Sequence, residues 1–226
     1  MARHKYFVTG TDTGVGKTWA SCALLYSARR LGLRTLAMKP VASGCEQTPE
    51  GLRNDDALQL QAAITETLSY EQINPIALEP AIAPHVAARQ AGRVITAERL
   101  AGFCRGLQMR PGDLMLVEGA GGWRVPLNER ETYSRVPVLL GMPVILVVPL
   151  RLGCINQALL TAEAIRGDGL PLAGWIGNRV DPVPMSCEQD TLEYLHHAMA
   201  SPCLGVLDHK VPPQQAQLDL AGLIGC

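Results

Sequence analysis

Apolar and polar positions fall into two patterns along this chain. Unbroken apolar runs at Tyr6-Phe7-Val8, Leu36-Ala37-Met38, Leu114-Met115-Leu116-Val117 and Val144 to Val148 read as buried strands, and Ala173 to Asn178 reads as another. The run Met142 to Pro149 is the most apolar and predicts a central strand covered on both faces. Helical spacing lies between these runs. Ala20, Leu24, Ala28 and Leu31 predict a first helix from about Lys17 to Leu31, stopped by Gly32. Asn54 or Asp55 caps the stretch DALQLQAAI, and Thr96 caps TAERLAGFCRGLQM ahead of Pro111-Gly112. NQALLTAEAIRGDG is helical after Asn156. A last helix is predicted from about Met185 to Met199, before a short strand Cys203–Leu207 and a Pro/Gln-rich tail. Residues 44–55 are turn-rich and read as a surface excursion; 70–95 are cut into short pieces by Pro75, Pro80 and Pro84. Strands alternating with helices predict an α/β fold, with a mostly parallel sheet, helices on both faces and right-handed crossovers.

Length and composition narrow the class. At 226 residues one domain, 1–226, is expected, and 47% apolar content supports a large core that 4% aromatics make aliphatic. A net charge of −1 without a basic block argues against a nucleic-acid or anionic-membrane surface. No run reaches bilayer length, and no secretory apolar segment precedes the first strand. Seven scattered cysteines lack zinc spacing and suggest reduced thiols in the cytoplasm, with Cys22 and Cys104 filling core space.

The chemistry centres on Lys5 to Thr18, KYFVTGTDTGVGKT: a strand, a glycine loop, then Gly16-Lys17-Thr18 opening a helix. That is the context of a phosphate-binding loop, and it makes the fold P-loop NTPase-like. Glycines let backbone N–H groups of Thr13, Gly14, Val15 and Gly16 approach phosphate oxygens, and the helix N-terminus adds partial positive charge. Lys17 reaches the outer phosphates, and the Thr18 hydroxyl suits Mg2+. Five residues rather than four separate Gly10 from Gly16.

Other candidates gather at the carboxyl ends of strands, where open α/β sheets bind ligands. Lys39 and Ser43 follow the second strand and can reach whatever lies beside the phosphates, although a lysine there also serves as a solvated cap. Asp56 either shares Mg2+ with Thr18 or simply complements the dipole of its helix. Glu118 ends an apolar run and is costly to bury unless paired with metal or protonated; an acid there also serves as a helix cap or turn former. Gly119, Ala120 and Gly121 after it let backbone approach a ligand. Gly153, Cys154, Ile155 and Asn156 open a helix whose free N–H groups can seat a small carboxylate. Asn178 can read a purine edge or form a turn.

In order, VTGTDTGVGKT, KPVASG, EGLRNDDAL, LVEGAGGW, VILVV with LGCIN, and GWIGN closely resemble the dethiobiotin synthetase family over roughly the first 180 residues. The family's loop has the same Gly10-to-Gly16 offset. The resemblance implies a homodimeric enzyme that makes dethiobiotin from 7,8-diaminopelargonate, CO2 and MgATP. It implies that Lys17 and Thr18 hold phosphates and Mg2+, with Asp56 and Glu118 on the metal. Lys39 is then the catalytic lysine, Ser43 contacts substrate, and Asn178 reads adenine. The Gly153–Asn156 helix start holds the substrate carboxylate across the dimer interface. Three positions depart from the family. Gly14 stands where an acid is frequent, and the tyrosine expected on the last helix has only Asp190, Thr191 or Tyr194 near it. Asp208-His209-Lys210 replace a proline-containing adenine wall.

The residues fit that chemistry. CO2 reacts with a neutral amine, whereas an alkyl ammonium has a pKa of about 10. Lys17, Lys39 and Mg2+ together disfavour the ammonium and stabilise the carbamate. Phosphoryl transfer then needs positioning and charge neutralisation rather than a side-chain nucleophile, and the scattered histidines form no catalytic constellation. The competing reading is a nucleotide-switch ATPase of the partitioning or metallochaperone type. Such proteins usually carry a second lysine early in the loop, where this chain has Thr11 and Asp12.

Overall fold

The computed structural model describes residues 3–225. The chain runs β1 (His4–Gly10), α1 (Lys17–Arg30), β2 (Thr35–Met38), β3 (Val41–Ser43), β4 (Glu46–Thr48), β5 (Gly51–Arg53) and α2 (Asp55–Ala63). It continues through α3 (Tyr70–Ile73), β6 (Ile76–Leu78), α4 (Pro84–Gln90), α5 (Ala97–Gln108), β7 (Leu114–Gly122) and α6 (Arg135–Leu140). The last elements are β8 (Val144–Pro149), α7 (Cys154–Gly167), β9 (Leu172–Asn178), α8 (Glu188–Ala198), β10 (Cys203–Leu207) and α9 (Ala221–Ile224).

Six strands form one parallel sheet in the order β10-β9-β8-β1-β7-β2. β1 and β8 lie inside it, which explains why Val8 and every residue of Val144–Val148 are fully buried. Because β1 pairs with β7 and β8 rather than β2, the chain reverses direction across the sheet at β1. A crevice opens there at the carboxyl edge, and the glycine loop lies in it.

Local signals set most boundaries. The Asn54 side chain accepts from the Ala57 N–H and caps α2, so Asp55 and Asp56 both lie in its first turn. Thr96 caps α5 in the same way through the Arg99 N–H. Cys22 and Cys104 are buried and fill core space, as expected.

One expectation needs correction. The last helix starts at Glu188, not Met185, because Cys187 takes a left-handed conformation (φ 54°) at its N-terminus. Residues 44–55 form the expected surface excursion, as a hairpin in which β4 and β5 pair antiparallel. The broken stretch 70–95 contributes β6, which pairs in parallel with β3, and two short helices. The Pro/Gln-rich tail ends in α9, where the Tyr6 hydroxyl donates to the Leu223 carbonyl. No helix among the described residues is long and apolar enough to cross a membrane.

Candidate active site

The loop between β1 and α1 is shaped by its glycines. Gly16 has φ 86°, and a Cβ there would fall 2.1 Å from Asn178 Nδ2, so only glycine fits. Asn178, at the carboxyl end of β9, donates from Nδ2 to the Val15 carbonyl (2.9 Å) and braces the loop from the side. Lys17 Nζ donates to the Asp12 carbonyl at 2.9 Å and so lies folded back over the loop. Burial pushes its ammonium down to about 8, against the opposing pull of Glu118.

The end of β2, the middle of β7 and the first turn of α2 bring the second lysine and the two acids together. Glu118 is only 1% exposed. It accepts from Thr18 Oγ1, Ser21 Oγ and Lys39 Nζ, each at 2.8 Å. Lys39 Nζ also donates to Asp56 Oδ2 at 2.5 Å. Burial opposes the Lys39 charge, but Glu118 and Asp56 outweigh it and hold the proton above the ordinary lysine range. For Asp56, burial alone would raise the carboxyl; the Lys39 ammonium reverses this and keeps it below the usual range. Asn74 fixes the Lys39 backbone, donating from a buried amide to its carbonyl at 2.7 Å.

These groups border one hollow of about 730 Å3. Thr13, Gly14, Gly16, Lys17, Thr18, Lys39, Ser43, Asp56, Ala120 and Gly121 line it. Val15 and Glu118 lie behind its wall, both 1% exposed, and Gly119 sits against Phe7. Gly153–Asn156 do not line it. They form the exposed start of α7 after β8, with Gly153 at φ 92° and Leu152 fully in solvent. A second cavity of about 750 Å3, between α4 and the 127–131 loop, contains none of the phosphate-loop residues.

Several participants escaped the sequence reading. Ser21 is the second hydroxyl on Glu118, and its signal was its position one turn after Thr18 on the same helix face. Trp19, Gln59, Val125, Pro126 and the Ala81–Pro84 segment complete the wall. Nothing in their local sequence marks them.

Among the described residues no three His, Cys, Asp or Glu side chains gather as a metal centre. The donors present are oxygens: the Thr18 hydroxyl and the Asp56 and Glu118 carboxylates, with a lysine ammonium between the acids. A place already holding one cation among oxygen donors suits Mg2+, which takes few protein ligands and completes its shell with water and phosphate.

A glycine loop on a parallel sheet, with Gly-Lys-Thr opening a helix and an acid on the neighbouring strand, defines a P-loop nucleotide-binding fold. A family model described as "AAA domain" matches residues 4–215. Solved structures agree on the fold. The septum site-determining protein MinD from Pyrococcus horikoshii, complexed with Mg-ADP, superposes with a TM-score of 0.57 at 19% identity, covering 93% of this chain and 82% of that one. A ParA family ATPase from Chlorobium tepidum gives 0.52 at 16%, covering 92% and 85%.

Curated relatives are more specific. The ATP-dependent dethiobiotin synthetase BioD of Marinobacter nauticus is 70% identical over 92% of this chain and 88% of its own length. That of Cellvibrio japonicus is 53% identical over 99% of both, and that of Pseudomonas aeruginosa PAO1 is 56% identical over 88% and 87%. The chain belongs to the ATP-dependent dethiobiotin synthetase family.

Proposed function

We propose that this chain is an ATP-dependent dethiobiotin synthetase that carboxylates 7,8-diaminopelargonate and closes its ureido ring, releasing ADP and phosphate. The observation that carries the reading is the meeting of Lys17 and Lys39 at one hollow. Two segments 22 residues apart bring their cationic ends to the same space, beside a carboxylate pair, in a chain of this family.

In the first step one substrate amine attacks CO2 and loses a proton, giving a carbamate anion. Positive charge from Lys39 and Lys17 favours both the neutral amine and the anion. The carbamate oxygen then attacks the γ-phosphorus of ATP and ADP leaves. Here Lys17 and the loop N–H groups hold the transferring phosphoryl group. Finally the second amine attacks the carbonyl of the mixed anhydride, phosphate departs, and the five-membered ring closes. Mg2+, held by Thr18, Asp56 and Glu118, supplies charge neutralisation on the phosphates when bound. Lys39, held between Glu118 and Asp56 at the hollow, supplies positive charge beside the carbamate.

Ser43 contacts the diamine, and the glycines of 119–121 bring backbone close to it. Asn178 retains its side-chain oxygen for an adenine amine while its nitrogen holds the loop. The substrate's distal carboxylate is assigned to the Gly153–Asn156 helix start of a second copy in a homodimer. The whole chain acts as one domain, in the cytoplasm, with no nucleic-acid or membrane partner.

The test is isotopic. Purified protein given MgATP, the diamine and 13C-bicarbonate should yield a cyclic urea one mass unit heavier than with unlabelled bicarbonate, and one ADP per urea. A product without the label, or no urea, contradicts the assignment.

A further inference from the structure

Both backbone groups of Lys39 are held by the end of α3. Its N–H donates to the Ile73 carbonyl at 2.8 Å, and its carbonyl accepts from Asn74 Nδ2 at 2.7 Å. Pro40 follows, and its carbonyl accepts from the Ile76 N–H at 3.2 Å. The base of the lysine is therefore fastened on each side to residues 73–76, outside the hollow. Its ammonium still rides on a flexible four-carbon stem.

The same stretch also reaches the helix that carries the second acid. Asn74 spends its amide nitrogen on the carbonyls of Lys39 and Ile76 (3.3 Å to the latter), which leaves its oxygen to accept. The Tyr70 hydroxyl, four residues earlier, donates to that oxygen at 3.1 Å. With its proton committed there, the hydroxyl accepts from the Asn54 N–H at 2.7 Å. Asn54 caps α2 two residues before Asp56; its Oδ1 accepts from the Ala57 N–H and its Nδ2 donates to the Ser43 carbonyl, both at 3.4 Å. Three hydrogen bonds in series thus run from the Lys39 carbonyl through Asn74 and Tyr70 to the start of α2. Asn74, Tyr70 and Asn54 are all buried, and none of them lines the hollow. The Arg53 guanidinium lies 4.2 Å over the Tyr70 ring, a contact that does not involve the hydroxyl.

We propose that Tyr70 and Asn74 are positioning residues for the reaction, a buried strut that sets the spacing between the Lys39 backbone and the first turn of α2. The strut makes the Lys39 ammonium and the Asp56 carboxylate meet at the edge of the hollow, 2.5 Å apart. This rests on the role given to Lys39 above and adds to it what keeps that charge in place. Fixed positive charge stabilises a developing anion most when it need not reorganise as the reaction proceeds, and a flexible stem supplies that only from a rigid base.

The experiment compares Tyr70→Phe and Asn74→Ala with the parent chain, each alone and combined with Lys39→Ala, at saturating Mg2+. Tyr70→Phe removes one oxygen and keeps the ring under Arg53, so it serves as the test if Asn74→Ala unfolds. Each single variant should lower kcat for urea formation by about five- to tenfold, the scale of a buried hydrogen bond lost with its partner left unpaired. KM for ATP should stay within about twofold, because the phosphate loop is not part of the strut. On the Lys39→Ala background the same changes should cost less than about twofold more, since the residue they act through is gone. A second readout needs no turnover. The chain has four lysines, and with 15N-lysine the buried Lys39 ammonium should give a slowly exchanging NMR signal that Lys39→Ala removes. That signal should shift or broaden away in Tyr70→Phe. Unchanged kcat in folded Tyr70→Phe overturns the proposal, as does an equal loss with and without Lys39, or a Lys39 signal the same as the parent's. Should the parent make no urea while Tyr70→Phe still displaces the Lys39 signal, the synthetase reading falls and the strut stands.

Discussion

Lys39 Nζ lies 2.8 Å from Glu118 Oε1, one buried ion pair formed where β2 ends beside the middle of its neighbour β7. The pair is not isolated. Thr18 and Ser21 saturate the acid from α1, and Asp56 takes the outer side of the lysine. This ties the loop helix, the sheet and α2 into one unit around the site.

Lys39→Ala should lower kcat by about a hundredfold while KM for ATP changes little, the pattern of a group that acts on the transition state. It should also destabilise the metal-free protein by about 3 kcal/mol, because Glu118 is left as an uncompensated buried charge. Added Mg2+ should then stabilise the variant more than the parent. Steady-state kinetics and thermal unfolding with and without Mg2+ check both parts. A collapse of ATP affinity instead would remove Lys39 from its assigned role.

Gly16→Ala combines a strained left-handed backbone conformation with a Cβ lying on Asn178. One of the two must move, and either shift opens the loop. ATP affinity should fall by at least about tenfold, following from a strain of 1–3 kcal/mol at such a position. Calorimetric titration measures it, and affinity equal to the parent's would show that the loop adapts without cost.

Asp56 is the most accessible of the proposed metal ligands, since Glu118 lies behind the wall. Asp56→Asn should raise the Mg2+ concentration needed for half-maximal activity by about tenfold or more while saturating Mg2+ restores most of kcat. Chelation should abolish ADP release from the parent. Activity indifferent to chelator would remove the metal from the account.

Burial holds the Cys104 thiol up to about 12 and the Cys22 thiol likewise, so both stay protonated in the folded chain. The unfolded chain releases those protons near the ordinary thiol value. The folded state therefore binds more protons at alkaline pH, and stability should fall as pH rises from about 9 to 12. Cys104→Ala should flatten that slope. In native protein a thiol reagent should reach exposed Cys187 well before Cys22 or Cys104, as mass spectrometry of limited labelling would read.

The elements that hold the site were legible where the physics is local. Strand, glycine loop and Gly-Lys-Thr predicted the crevice at β1, and the apolar run ending at Glu118 predicted β7. Of the two readings of Asp56, its place in the first turn of α2 is observed, and the contact it makes there, with Lys39, was foreseen by neither. What stayed hidden depends on distance along the chain. Asn74 reaches the Lys39 carbonyl across 35 residues, and Trp19 reaches Val211 across 192. No window of sequence carries such contacts. The three-residue strands β3 to β6 are too short to show a period. The start of α8 was misjudged because Cys187 adopts a left-handed turn that its residue type does not suggest.

The account depends most on both substrates being present before phosphoryl transfer. ADP release should be followed in one assay with MgATP and each of the diamine and bicarbonate omitted in turn. Release that requires both together, and stops when either is withheld, is the predicted result. ADP formed at the same rate with MgATP alone would mark a nucleotide switch and contradict the synthetase.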